Sequence, residues 1–294
     1  MLETIPERSP SPLWDLSEEQ RHAFLADIWA DSVQCVDNPA QIDKPYWKFI
    51  IAHGDLNAWD SRKKLGFPVR SQNNAWVREP VFCFQRFGST ETRLPDGRIV
   101  YVAGEHEDGY DPDFYIYNDV VVVHGRGRVA EQADSDADSV YYPDSDMEQD
   151  PDYAEHVREM RAYRKREKLQ NAASATGASP EDIEIYGYPT DVFPPTDFHT
   201  STYIKDESSG REHIYIIGGL GGGDSPHRTA TLTHRLDLQD YSIQRIETSG
   251  EAPPVLDSTN ERRNAELDGD RIVVVDGADM YTLSLADTRW SRIR

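Results

Sequence analysis

Three short apolar runs, each closed by glycine, constrain the fold of this chain more than any other feature. Residues His213 to Gly219 read HIYIIGG, and Ile99-Val100-Tyr101-Val102-Ala103-Gly104 and Ile272-Val273-Val274-Val275-Asp276-Gly277 repeat the form. A polar turn precedes the outer two: Pro95-Asp96-Gly97-Arg98 in one case, Asp268-Gly269-Asp270-Arg271 in the other. β-Branched and aromatic residues held between such turns favour a buried strand entered through a tight hairpin. The repetition predicts equivalent inner strands of successive sheets, arranged radially.

A chain of 294 residues can bury a sizeable core, as one large domain or two small ones. Its 31 Lys and Arg against 53 Asp and Glu give a formal charge of -22, which disfavours nucleic acid and anionic lipid as partners. A basic protein, a cation or a metal is the more natural counterpart, although surplus acid also serves solubility alone. Two cysteines, Cys35 and Cys83, are too few for a disulfide framework, and Met-Leu-Glu-Thr-Ile-Pro-Glu-Arg lacks the basic and apolar regions of a secretory leader. The expected location is therefore cytoplasmic. Apolar runs such as Val120-Val123 are strand-sized, so no membrane span is expected.

In chain order, residues 1–12 read as a disordered tail and residues 13–70 as a helical module. Ser17 with Gln20 forms a capping box, and Phe24, Leu25, Ile28, Trp29, Ser32 and Val33 recur at helical spacing, predicting a helix to about Cys35. Pro45 opens a second helix carrying Tyr46, Trp47, Phe49, Ile50 and Ile51, and Asp55 caps a third from Leu56 to Leu65. Residues 76–294 have the period of strands. Val81-Phe84, Glu91-Leu94, Arg98-Ala103 and Phe114-Val123 form a meander that resumes at Ile183-Tyr186. An insert at 125–180 interrupts it, first with an acidic run from Asp134 to Asp152, then with a basic, helix-like stretch from Tyr153 to Asn171. It reads as a self-neutralising surface loop or as a docking arm. Phe198-Ile204, Thr231-Leu238, Tyr241-Ile246, Met280-Leu285 and Arg289-Arg294 supply further strands.

The strand-ending glycines Gly104, Gly218-Gly219 and Gly277, the downstream Tyr281 and Trp290, and the linker Thr248-Ser249-Gly250-Glu251-Ala252-Pro253-Pro254 together resemble kelch repeats. The resemblance covers roughly Phe87 to Arg294 without the insert. It implies a mainly β, kelch-like β-propeller of the galactose-oxidase-like superfamily, incomplete or small at about 3–5 blades. Only about three units can be counted, so the expectation is that the Trp76-Phe87 strands join the last unit to form an additional blade and the helical module covers the gap. Two chains closing one propeller as a homodimer is the other arrangement. Kelch-type specifier proteins hold iron through Glu-x3-Asp-x3-His; Glu107 and Asp111 begin that pattern, but Tyr115 stands where the histidine would be.

Polar residues concentrate after the first repeat, at Glu105, His106, Asp108, Tyr110, Asp111 and Asp113, with Asn118 beyond them. Asp197 and His199 hold the matching register in the next unit and share a face if extended. Carboxylates and imidazoles at this spacing suit a divalent cation, and His106, Asp111, Asp197 and His199 are the candidate ligands. The same residues equally serve as turn formers and backbone caps. Two functions compete: a kelch-type scaffold that binds a protein, expected to be basic, through its loops, and a metal-assisted hydrolase, lyase or isomerase using the His/Asp pocket.

Overall fold

A computed structural model describes residues 16–53, 61, 65, 79–106, 114–125, 178–221, 230–255 and 263–293. The protein is mainly β. Helices α1 (Glu18–Asp27) and α2 (Pro45–His53) precede three sheets. The first combines β1 (Ala40–Gln41), β2 (Thr90–Arg93), β3 (Ile99–His106), β4 (Tyr115–Val123) and β5 (Ile183–Gly187) in the order β1-β5-β4-β3-β2. The second runs in chain order through β6 (His199–Lys205), β7 (Glu212–Gly218), β8 (Thr233–Asp237) and β9 (Ile243–Arg245). The third holds β10 (Ser249–Gly250), β11 (Asn264–Asp268), β12 (Arg271–Asp276), β13 (Asp279–Ser284) and β14 (Arg289–Ile293) in the order β10-β14-β13-β12-β11. Each sheet is thus a four-stranded antiparallel meander, with one short strand added to the outer edge of the first and third.

The three glycine-ended runs are β3, β7 and β12, the second strand of each meander, flanked by partners on both sides. Two-sided pairing and burial on both faces explain their near-continuous apolar character. The first strands adjoin across the sheets, with β6 lying against both β2 and β11. Among the described residues the sheets form a series, and no closed ring or barrel results.

Three apolar cores lie in sequence along this series. One packs Phe24, Trp47, Ile50 and Phe82 against Tyr117, Val121 and Ile185 of the first sheet. A second joins the other face of that sheet, through Val100, Val102 and Val120, to Ile214, Ile216 and Leu236. A third lies between the second and third sheets, with Tyr215 and Ile217 against Ile272, Val274, Tyr281, Leu283 and Trp290. Alternation along each strand divides its side chains between two of these cores.

The helical module does more than cover a face. It also protects edges, because β1 pairs antiparallel with β5, and Asn38 caps β9 by donating Nδ2–H to the Ile243 carbonyl at 2.7 Å while its Oδ1 accepts the Ile243 N–H at 2.9 Å. The side-chain amide there imitates one unit of a neighbouring strand. β10 runs parallel to β14 and shields the outer edge of the third sheet. Bare edges invite pairing with other chains, so these caps have a direct physical use.

Several expectations from the sequence change. The Ser17 capping box forms, but α1 ends at Asp27 rather than near Cys35. Beyond it the backbone exchanges helical bonds for tertiary ones: Phe82 N–H donates to the Ile28 carbonyl, Ala30 N–H donates to the Pro80 carbonyl, and Trp29 bridges Val81. Residues 79–87 therefore join the first unit, where Phe87 also bridges Glu105, and they do not extend the third sheet. Of the third helix, Ser61 and Leu65 are described and helical. The acidic run and basic stretch of the insert lie outside the described residues. On either side of them Val123 and Ile183 pair directly, so β4 and β5 are neighbours. β11 was not legible: Ala265 and Leu267 are its only apolar residues, and it is largely exposed.

Candidate functional site

The described residues include Glu105, His106, Asn118, Asp197 and His199 of the expected site; Asp108, Tyr110, Asp111 and Asp113 lie outside them. The site is built on residues 196–198, which cross from the first sheet to the second. Thr196 N–H donates to the Tyr117 carbonyl at 3.0 Å, and the Thr196 carbonyl accepts the Gly104 N–H at 2.9 Å. Phe198 N–H donates to the Gly88 carbonyl at 2.8 Å. Asp197 then ties in the loop after β7, its carbonyl accepting the Leu220 N–H at 3.0 Å and its Oδ1 the Gly221 N–H at 2.7 Å. Asp197 is thus occupied as a loop cap.

This crossing is tight and strained. A Cβ at Gly88 would run into the Phe198 backbone nitrogen, and one at Gly104 would lie 2.7 Å from the Ser89 Cβ. Phe198 has φ 51 and Ala103, at a bulge in β3, has φ 47. Side-chain-bearing residues avoid that region unless surrounding bonds over-determine it, and such strain gathers at functional sites. The bonds from Thr196 and Phe198 supply the constraint here.

Where β2 meets β6, Thr90 Oγ1 lies 3.0 Å from His199 Nε2 and 2.6 Å from Ser201 Oγ. His199 and Ser201 are two apart on one strand and share its face. Thr90 and Ser201 are half-buried, whereas His199 is buried. A hydroxyl donates once and accepts twice, so Thr90 can donate to one neighbour and accept from a ligand or from the other. The cluster offers donors and acceptors in a small space. Phe87, 46 % exposed, stands at the same end of the sheet.

His106 belongs to a different network. Thr90 pairs with Val102 and faces the core shared with the second sheet, while His106 pairs with Tyr115 and faces the helical module. Its Nδ1 lies 2.6 Å from Tyr117 Oη, which also accepts the Cys83 N–H at 3.1 Å. The Arg86 guanidinium sits 3.4 Å from the Tyr117 ring centroid and donates from Nη1 and Nη2 to the two Asp119 oxygens at 2.5 and 2.9 Å. Burial alone would lower the Arg86 pKa, but the Asp119 carboxylate outweighs it and holds the pKa raised. Burial also pushes the Tyr117 phenol well above its ordinary value, so it stays a neutral hydroxyl. This network braces residues 79–87 against the first sheet.

The first sheet therefore stands between His106 and His199, and among the described residues the shared pocket expected for them does not assemble. Among the described residues no three His, Cys, Asp or Glu side chains form a metal-holding group. Glu105 continues the β3 edge and exchanges backbone bonds with Phe87. Asn118 is a brace, its Nδ2 donating to the Tyr188 and Phe193 carbonyls at 2.8 and 3.0 Å. Thr90, Ser201, Arg86 and Asp119 were not foreseen. Ser201 had a signal, because it alternates with His199; Thr90 had none, because only tertiary contact between sheets brings it there. No protein-family model matches the chain, and a search of curated proteins finds no significant match.

Proposed function

We propose that this protein is a binding scaffold of kelch-like, propeller type that engages a basic protein partner at the end where residues 196–198 cross between the first two sheets. The observation carrying this reading is the conjunction there of exposed Phe87, the Thr90-His199-Ser201 cluster and a backbone strained at Phe198. An aromatic anchor beside adaptable polar groups is what a protein interface uses. Three consecutive four-stranded meanders with adjoining first strands support the propeller comparison, and the charge of -22 supports a basic partner. The metal-assisted alternative loses support because His106 and His199 lie on opposite sides of the first sheet.

The test is affinity capture from native extract with the wild type and with Phe87→Ala and His199→Ala, followed by binding measurements on any purified partner. One partner should bind the wild type, weaken about tenfold or more with Phe87→Ala, and weaken further as salt rises. Equal binding by the wild type and both variants would overturn the assignment of this end.

A further inference from the structure

Arg263 carries buried hydrogen-bond donors that the fold leaves unused. It stands one residue before β11 and opposite Asp276 at the end of β12, two steps along the alternation from Ala265 and Val274. Those two residues belong to the core between the second and third sheets, so Arg263 faces the same core. Its side chain is 0% exposed and that of Asp276 is 11% exposed. Nη2 donates to Asp276 Oδ2 at 2.8 Å and to the Pro254 carbonyl, an oxygen that also accepts the Thr231 hydroxyl at 3.0 Å. Among the described residues, Nε and Nη1 have no acceptor.

The second sheet brings two unpartnered hydroxyls to this otherwise apolar core. Thr202 pairs with Tyr215 and Thr233 with Ile217, so both threonines face the third sheet, and neither Oγ1 has a partner among the described residues. A guanidinium is permanently charged and donates only, and unmet donors in a dry interior are costly. Asp276 meets it through a single nitrogen. Further donors with no acceptor among the described residues, on a guanidinium that shares the Pro254 carbonyl with Thr231, two residues before Thr233, call for oxygen atoms from outside the chain.

We propose that a small oxyanion, a carboxylate or a phosphate, binds against Arg263 where the second and third sheets meet, with Arg263 as its charged anchor and the Thr233 hydroxyl as a further donor. The site is independent of the Phe87 end. In so acidic a protein a surface cation would be a poor anion site, whereas a desolvated guanidinium strengthens each charge-assisted bond.

Titration calorimetry at constant ionic strength, with sodium phosphate and sodium acetate as separate probes, tests this on the full chain. The wild type should bind at least one of them saturably at one site, and the stronger probe identifies the class. Arg263→Gln should weaken binding tenfold or more. Asp276→Asn removes the competing negative charge and should tighten it several-fold. If Arg263→Gln does not fold, as judged by circular dichroism, Thr233→Val takes its place and should weaken binding at least threefold. Absence of saturable binding by either probe would overturn the proposal and leave water as the occupant. So would undiminished affinity in the folded Arg263 or Thr233 variant, or no gain in Asp276→Asn.

Discussion

At the scale of single residues, the pair most consequential for the fold is Arg86 and Asp119, whose side chains are only 3% and 6% exposed. Two charges taken out of water are tolerable because the contact is two-pronged, the ring of Tyr117 covers the guanidinium, and further donors reach the Cys83 and Ala103 carbonyls. Breaking the pair from one side leaves an uncompensated buried charge, so Asp119→Ala should cost about 3–5 kcal/mol in denaturant unfolding. Replacing both partners with apolar residues, Arg86→Met with Asp119→Leu, should recover most of that loss. If the double variant were no more stable than Asp119→Ala, the pair's charge would not be the source of the effect. The sequence concealed this pair. Arg86 follows an apolar strand-like stretch, Asp119 interrupts another, and nothing local indicates that each neutralises the other.

At the scale of elements, the meanders were readable from their strands apart from β11, while their protection was not. The apolar second strands, β3, β7 and β12, are defined by composition because both of their faces are buried. Edge protection rests on sparse polar contacts instead, of which Asn38 is the sharpest example. Asn38→Ala would leave the Ile243 N–H and carbonyl to solvent at the open edge of β9 and should cost about 1–3 kcal/mol. The same variant should aggregate faster on storage at high concentration, as light scattering would report. Unchanged stability and unchanged scattering would show that the amide cap is dispensable. The early end of α1 belongs to this scale as well. Helical periodicity runs on through Trp29 and Val33, yet pairing of Ile28 and Ala30 with Pro80 and Phe82 offered the backbone better partners than another turn.

At the scale of the whole molecule, a formal charge of -22 sets the conditions under which the sheets stay together. Self-repulsion of that size opposes compaction and is screened by salt, with a Debye length of about 10 Å at 0.1 M and roughly 3 Å at 1 M. Raising sodium chloride from low to molar concentration should therefore raise the melting temperature, even while it weakens capture of a basic partner. A falling melting temperature would mean that attractive exposed ion pairs such as Arg292 with Asp279 outweigh the repulsion.

What the sequence by itself determined is most of the strands, β11 excepted, and the three units they belong to. β-Branched runs between Asp-Gly turns leave few alternatives to buried strands, and their recurrence separates them into three meanders. What only the tertiary structure decided is which side chains meet. Alternation puts each strand residue on one of two faces, but which sheet lies against that face depends on packing between elements distant in sequence. So His106 and His199, expected to share a pocket, came to opposite sides of one sheet, while Thr90 and His199, with no shared motif, came within a hydrogen bond of each other.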